Sequence, residues 1–221
     1  GQILDADDLR ALTMTAKRGA PGCALIIDEV FLDYRSGGRP GCSALGALAG
    51  SEVPRIALSG LSKVALAPQL KVGWSAIDGP PDWRETTLRR LEHHADAFLS
   101  VNTPAQVALP GLLDEVGAMR TQVIERLDRN ELYLREWGVA ARNGVELLAR
   151  EGGWSAVLKL PLGVDELTAC LRMVEEGVLA HPGHYYDFPA EDGPVAVVSL
   201  LGRPEELTAG LQALGRALAR C

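Results

Sequence analysis

Three short segments decide the fold of this chain: Asp-Glu-Val-Phe at 28–31, Ser-Gly-Leu-Ser-Lys at 59–63 and Lys-Val-Gly-Trp at 71–74. Asp28 directly follows the apolar run Ala-Leu-Ile-Ile, and Lys63 comes just after Ile-Ala-Leu-Ser. Short apolar runs of this kind are typical of strands buried on both faces of an α/β sheet. Because ligands bind outside the carboxyl ends of such strands, we predict that Asp28 and Lys63 face one crevice. On position alone, an ordinary ion pair at the sheet edge remains the alternative.

Hydroxyl groups and a second lysine surround Lys63. Ser59 and Ser62 lie in the same glycine-containing turn, and Lys71 follows eight residues later. Two lysines, two hydroxyls and backbone amides suit a bound phosphate. The motif Ser-x-x-Ser-Lys is a weak signal by itself, because turns with hydroxyls and a lysine are common on protein surfaces. Combined with the segments at 28–31 and 71–74, it becomes much more specific.

The hydrophobic pattern divides the chain into an α/β first part and a small α+β last part. Apolar residues at helical spacing predict helices, and short apolar runs bounded by Gly and Pro predict strands. The predicted helices are 5–17, 83–98, 112–137, 164–174 and 204–219, and the predicted strands are 23–27, 55–59, 72–77, 154–160 and 195–201. Another helical region begins at 102–104, and we expect Pro110 to kink or restart it.

The composition excludes several classes of function. The 221 residues carry a net charge of −7 and no block of Lys and Arg, so a nucleic-acid partner is not expected. No apolar run approaches the roughly 20 residues that span a bilayer, so no membrane partner is expected. The four cysteines are scattered, which predicts reduced, mostly buried thiols in a cytoplasmic protein. Neither they nor the histidines show metal-ligand spacing, so no metal site is predicted.

In their order and spacing, the three segments resemble the pyridoxal-phosphate-dependent aminotransferases of class I/II, fold type I. The resemblance covers nearly the whole chain and includes the later stretches 102–106, 152–154 and 197–200. It implies an α/β fold: the C-terminal part of a three-layer α/β/α large domain over 1–104, then a connecting helix and a small α+β domain over 105–221. It also implies pyridoxal 5'-phosphate as cofactor, amino acid and 2-oxo acid substrates, a biosynthetic role and a homodimer.

The resemblance also assigns roles to individual residues. Lys63 corresponds to the lysine that forms the Schiff base with the cofactor and then acts as general base. Asp28 corresponds to the acid that pairs with the pyridine nitrogen and keeps the ring an electron sink. Phe31 stands where the family often has a tyrosine that contacts the ring oxygen, and it can pack against the cofactor but not hydrogen-bond to it. Whether Tyr34 substitutes for that tyrosine is left open.

The implied phosphate-binding residues are Lys71, Ser62 and Ser59. Lys71 provides a positive charge, and the two serines add hydroxyl hydrogen bonds. The family's serine or threonine three residues before the lysine is Gly60 here, so this loop is expected to differ in shape.

The late strand lacks the arginine that holds the substrate carboxylate in most aminotransferases of this type. That arginine is expected near Val197, and Arg203 lies just past the strand. A decarboxylase or lyase of the same fold therefore remains an alternative, since the same lysine and aspartate can break other bonds at Cα.

Gly1 resembles the last residue of a family segment that precedes the first helix. The chain is therefore expected to be the C-terminal portion of such an enzyme, and to bind the cofactor weakly or not at all alone. A truncated, non-catalytic fragment is the other alternative.

Overall fold

The computed structural model describes residues 2–19, 22–38, 41–141 and 144–220. The chain divides into two compact units, an N-terminal unit Gln2–Thr121 and a C-terminal unit Gln122–Cys221, and the division falls within one long helix. The domain boundary after residue 104 remains a prediction. The expectation that concerns Gly1 lies outside the described residues.

Helices and strands alternate through the described chain, as the pattern predicts. In chain order they are α1 Ala6–Arg18, β1 Leu25–Asp28, α2 Ala44–Ala47, β2 Arg55–Gly60, α3 Leu61–Val64, β3 Gly73–Asp78, α4 Pro81–Asp96, α5 Thr103–Ala141, β4 Glu146–Leu147, β5 Ser155–Lys159, α6 Glu166–Glu175, β6 His181–Pro182, β7 Val195–Ser199 and α7 Pro204–Leu218. Short 3-10 helices occupy Ser36–Gly38, Pro68–Leu70, Gly183–Tyr186 and Ala190–Asp192. The predicted α/β class is confirmed.

The N-terminal unit contains a mixed sheet of order β1-β2-β3, in which β1 pairs parallel with β2 and β2 pairs antiparallel with β3. Leu25 and Ile27 of β1 pack against a cluster that includes Leu9 of α1. The expectation that β1 is buried on both faces is wrong, because Ile26 is 68% exposed. The strand lies at the edge of this sheet, and no described element covers the face that carries Ile26.

Helix α5 runs for 39 residues and passes through Pro110 without interruption, so the expected restart does not occur. A proline inside a helix removes one hydrogen bond and costs about 3 kcal/mol. On either side of Pro110, Leu109 and Leu112 pack against a buried cluster that includes Ala105 and Val116. Burial of this apolar face offsets the cost of the proline, because packing rather than propensity supplies most helical stability in proteins.

The C-terminal unit contains an antiparallel sheet of order β4-β5-β7-β6. Helices α6 and α7 contribute buried residues to its core. Its large buried apolar side chains include Leu127, Leu134, Leu158, Leu160, Met173, Leu200, Leu211 and Leu214. Asn130 of α5 donates hydrogen bonds to the carbonyls of Leu200 and Gly202, both at 2.8 Å. The small α+β arrangement of this part matches the prediction.

The cysteines differ in exposure. Cys170 is buried and Cys42 is half-buried, but Cys23 is exposed, which contradicts the expectation of mostly buried thiols for this residue. The reason is that β1 begins at Leu25, two residues later than predicted, so Cys23 lies in the segment before the strand. Cys221 lies outside the described residues. Within the described ranges, no helix is both long and apolar enough to cross a membrane.

Candidate active site

The carboxyl ends of β1 and β2 bring the Asp28 and Lys63 segments to the same edge of the sheet. Asp28 is the last residue of β1 and lies opposite Leu58 of β2 in parallel register. Lys63 follows Leu58 by five residues, in the single-turn helix α3 that begins where β2 ends. The Asp28 side chain is exposed, and its Oδ1 accepts a hydrogen bond from the Val30 amide at 3.0 Å.

Phe31 connects these two segments. The Lys63 Nζ lies 5.4 Å from the centre of the Phe31 ring, within the range of a cation–π interaction. The residue Lys63 as a whole is half-buried. The residue three positions after the acid therefore contacts the lysine, as expected if both segments form one site.

Gly60 has no room for a side chain. A Cβ at this position would lie 3.0 Å from the carbonyl oxygen of Val72 and 3.1 Å from the Cα of Gly73. Both atoms belong to backbone at the start of β3, where Gly73 pairs with Gly60 across the sheet. The serine or threonine that the resemblance implies at this position would therefore force the two strands apart.

The two serines lie at different places relative to the sheet. Side chains alternate between the faces of a strand, so Ser59 lies on the face opposite that of Leu58, the residue paired with Asp28. Ser62 lies in α3 beside Lys63 and is half-buried. Ser62 is thus nearer in the chain to Lys63 than Ser59 is, and the phosphate-binding roles of both serines stay predictions.

Lys71 has a left-handed backbone conformation, with φ of 55° and ψ of 44°, and its side chain is exposed. A non-glycine residue in this conformation costs roughly 1–2 kcal/mol. Leu66 has a φ of 55° as well. Two strained residues thus lie between Lys63 and β3, and such residues tend to cluster at functional sites, where the surrounding structure holds them.

Tyr34 contacts the backbone of Lys63, and no sequence pattern indicates this contact. Its side chain is 1% exposed, and its hydroxyl donates a hydrogen bond to the backbone carbonyl of Lys63 at 2.8 Å. Burial raises the pKa of Tyr34 to about 12. The Tyr34 hydroxyl therefore binds a backbone carbonyl. This geometry does not support Tyr34 as a substitute for the tyrosine that contacts the cofactor ring.

A cavity of about 270 Å³ also borders the Asp28 segment, and its walls include Ile3, Leu9, Asp28, Phe31 and Cys42. Its described lining contains neither lysine of the candidate site nor either serine. We therefore locate the candidate site where Phe31 meets Lys63, rather than in this cavity.

Comparison with known proteins supports this reading of the fold. No protein-family model matches the chain. An S-alkyl-thiohydroximate lyase of Arabidopsis thaliana is 33% identical over 117 residues, which cover 52% of this chain and 24% of that protein. The alanine aminotransferase from Pyrococcus furiosus superimposes with a TM-score of 0.83 at 19% identity, over 100% of this chain and 55% of that one. Cystalysin from Treponema denticola, whose structure contains pyridoxal 5'-phosphate, gives a TM-score of 0.84 at 16% identity, again over 100% and 55%.

The chain has the fold of the C-terminal part of a fold-type-I pyridoxal-phosphate transferase. The resemblance inferred from the three segments is thereby confirmed at the level of fold. The chain spans about half the length of these solved structures, and the segment matched in the curated relative is about a quarter of that protein.

In this fold the late strand β7 carries no arginine at the expected position. Val197 is 7% exposed and lies opposite His181 of β6. Arg203, the nearby candidate, donates hydrogen bonds to Glu206 at 2.8–3.0 Å, and so contacts its own helix α7. Beside β7, the His181 Nδ1 lies 2.8 Å from the Tyr186 hydroxyl, in an exposed group that also includes Tyr185.

Proposed function

We propose that this chain is the C-terminal portion of a pyridoxal-phosphate-dependent aminotransferase, which moves an amino group between an amino acid and a 2-oxo acid. The contact between Phe31 and the Lys63 amine at 5.4 Å carries the proposal, because it links the acid-bearing segment to the lysine-bearing one. The similarity to a solved alanine aminotransferase supports it.

The side chains at this edge of the sheet fit pyridoxal 5'-phosphate chemically. A primary amine at Lys63 can attach an aldehyde, and an exposed carboxylate at Asp28 can accept a hydrogen bond from a protonated ring nitrogen. Lys71 and the hydroxyl of Ser62, with Ser59 as a further donor, suit a phosphate group. Phe31 offers an apolar surface for an aromatic ring. The pyridoxal phosphate found in cystalysin is consistent with this donor set.

The residues of the chain then have distinct tasks. When bound, pyridoxal phosphate supplies an electron sink for the electron pair left at Cα of the amino acid. Lys63 removes the proton from that Cα and returns a proton during the transfer, as a general base and then a general acid. Asp28 stabilises the positive charge on the ring nitrogen, and Lys71 with Ser62 holds the phosphate in place.

The activity is proposed for a protein longer than this chain, because the chain spans about half the length of the solved structures that share its fold. We propose that the longer protein is a cytoplasmic homodimer with a biosynthetic role. Size-exclusion chromatography with light scattering tests its oligomeric state, and a monomeric mass would contradict that part of the proposal.

Covalent trapping tests the assignment of Lys63. The longer protein is incubated with pyridoxal 5'-phosphate, reduced with borohydride and digested, and the modified lysine is found by mass spectrometry. We expect the added mass on Lys63, its loss in Lys63→Arg, and no change in the matched control Lys159→Arg, which alters a lysine of the C-terminal unit. Absence of the adduct from Lys63 in the longer protein would overturn the proposal and favour a non-catalytic fragment.

A lyase or decarboxylase of the same fold is the second candidate. The buried Val197, the pairing of Arg203 with Glu206, and the 33% identity to a lyase favour it. Product analysis separates the two functions after incubation of the longer protein with amino acids and 2-oxoglutarate. Glutamate is the product expected of an aminotransferase, whereas carbon dioxide or a Cα or Cβ cleavage product without glutamate identifies the alternative.

A further inference from the structure

The backbone around Lys63 has little local support. Lys63 is the third residue of the four-residue helix α3. The helix ends at once in a turn in which the Leu66 amide donates to the Lys63 carbonyl at 3.3 Å and Leu66 itself has a φ of 55°. Because a single helical turn is unstable in isolation, the direction of the Lys63 side chain depends on contacts from elsewhere in the fold.

The turn at 31–34 supplies such contacts to both ends of Lys63. The Phe31 ring faces the side-chain amine at 5.4 Å, and the Tyr34 hydroxyl donates to the backbone carbonyl at 2.8 Å. The turn is closed by a hydrogen bond from the Tyr34 amide to the Phe31 carbonyl at 2.9 Å. The two contacts to Lys63 therefore come from a single hydrogen-bonded turn.

The turn at 31–34 is itself fixed to the long helix. Asp33, which lies between the two aromatic residues, forms an ion pair with Arg120 of α5 at 2.9 Å. Leu61 and Ala65, on either side of Lys63 in the chain, belong to a buried cluster that also contains Val116 of α5. The turn and the lysine segment thus both contact helix α5, the turn through Asp33 and the lysine segment through Leu61 and Ala65.

We propose that Tyr34 is a positioning residue that holds the backbone of Lys63 and thereby the direction of its amine. The proposal rests on the proposed function, in which Lys63 is the reactive lysine. Burial raises the pKa of Tyr34 to about 12, so the hydroxyl remains a donor at every pH at which the enzyme would work. Tyr34 touches neither the cofactor nor the substrate in this assignment.

The test compares Tyr34→Phe with the unsubstituted form, both in the longer protein for which cofactor binding is proposed. Each is incubated with excess pyridoxal 5'-phosphate and reduced with borohydride, which also traps a short-lived adduct. The readout is the modification of Lys63 relative to Lys17 and Lys159 in the same sample. We expect this ratio to fall about fivefold in Tyr34→Phe, the factor that corresponds to one lost hydrogen bond.

Thr13→Val is the matched control. Thr13 is a buried residue of the same unit, and its hydroxyl donates to the Leu9 carbonyl at 2.8 Å, so the substitution also removes one buried hydroxyl-to-backbone bond. We expect a comparable decrease in Tm but an unchanged ratio for Lys63. An equal fall of the ratio in both variants, or no fall in Tyr34→Phe, would overturn the role of Tyr34.

Hydrogen exchange provides a second readout that needs no cofactor. The Leu66 amide donates to the same Lys63 carbonyl, so its exchange is expected to accelerate in Tyr34→Phe and not in Thr13→Val. If Lys63 is not modified in preference to Lys17 and Lys159 in the longer unsubstituted protein, the proposed function fails. The exchange rate of the Leu66 amide then tests the positioning role of Tyr34 by itself. Unchanged exchange in Tyr34→Phe would contradict the positioning role.

Discussion

Phe31 and Tyr34 lie in one turn and contact different parts of Lys63. The Tyr34 hydroxyl donates to the backbone carbonyl of Lys63, whereas Phe31, whose ring faces the Lys63 amine, carries no hydroxyl. An aromatic ring without a hydroxyl cannot donate a hydrogen bond to a ring oxygen. A site built around Phe31 therefore depends more on packing and on Asp28 to orient a pyridine ring.

We expect Ser62→Ala to weaken trapping of pyridoxal 5'-phosphate on Lys63 more than Ser59→Ala does. Ser62 lies in α3 beside the lysine, whereas Ser59 lies on the face of β2 opposite that of Leu58, the partner of Asp28. Loss of a hydrogen bond to a charged group is worth about 1.5–3 kcal/mol, or roughly tenfold to a hundredfold in affinity. The measurement is the concentration of cofactor that gives half-maximal trapping in the longer protein. Equal effects of the two substitutions would contradict this order.

Gly60→Ala should lower the free energy of unfolding by about 1–3 kcal/mol, the usual cost of overpacking. The added methyl group would meet the Val72 carbonyl and the Gly73 Cα at 3.0–3.1 Å, and both belong to paired backbone that moves little. Urea denaturation measures the change.

Gly46→Ala is the control for Gly60→Ala, because a Cβ at Gly46 meets nothing within 4 Å and the residue lies in helix α2. A Gly-to-Ala change in a helix is expected to be neutral or stabilising by up to about 1 kcal/mol. A Gly60→Ala protein as stable as the unsubstituted one would show that the two strands can separate at this point.

The placement of some site residues could be predicted from the sequence, whereas the roles of others could not. Asp28 and Lys63 follow recognisable strands, so their common edge of the sheet could be inferred from the sequence. The role of Tyr34 could not, because a single buried tyrosine has no pattern that indicates which carbonyl it will reach. The tight approach at Gly60 is likewise a property of two paired strands and cannot be seen in either one.

Helix α5 shows where element prediction from local signals fails. The proline at position 110 argues for an interruption, but the apolar residues around it bury one continuous face. Short strands cannot be predicted from periodicity at all, because β4 and β6 have only two residues each. Longer elements such as α1 and α7 were predicted to within two residues, because a capping residue or Pro204 marks the beginning of each.

Glu176 connects α6 to α7 and should make the C-terminal unit sensitive to acid. Its carboxylate accepts a hydrogen bond from Arg216 at 2.7 Å and forms an ion pair with Arg220. The hydrogen bond from Arg216, with the charges of both arginines, lowers the pKa of Glu176 below its usual value of 4.5. A lowered pKa in the folded state contributes stability above the unfolded pKa, and this contribution is lost as the pH falls through the folded value.

The free energy of unfolding of Glu176→Gln should therefore be lower than that of the unsubstituted chain at pH 7. The gap, which is the difference between the two free energies, should narrow as the pH falls below about 4.5. Denaturation at a series of pH values measures the gap. Glu175→Gln, an adjacent change on the same helix, should leave the pH dependence unaltered. A gap that stays constant down to pH 3 would contradict a stabilising role of the ionised Glu176.

For the whole molecule, composition and pattern sufficed for the α/β class and for the division into an α/β part and an α+β part. They sufficed because both parts contain strands and helices long enough to show a period. Exposure of Ile26 on β1 could not be inferred, since the sequence of a strand does not state which other elements are present to cover it.

The 221-residue chain alone is expected to give no stable visible absorbance band with pyridoxal 5'-phosphate, whereas the longer protein should give one. The physical reason is that the amine, the carboxylate and the phosphate donors of the described site all lie at one edge of a three-stranded sheet. They would therefore contact a ligand from one side only. Titration of both proteins with the cofactor under identical conditions measures the difference. A stable band from the chain alone would show that these residues suffice for tight binding.

The left-handed backbone at Leu66 and Lys71 has a consequence for how the protein responds to heat. Neither residue is glycine, so this conformation is costly at both positions and depends on the surrounding structure, which includes the cluster that contains Leu61 and Val72. Loop segments generally open at lower free energies than the strands and helices of the core. On gradual warming, we therefore expect the stretch from Lys63 to Lys71 to open first, so that the proposed phosphate binding is lost while the circular dichroism of the helices is still unchanged.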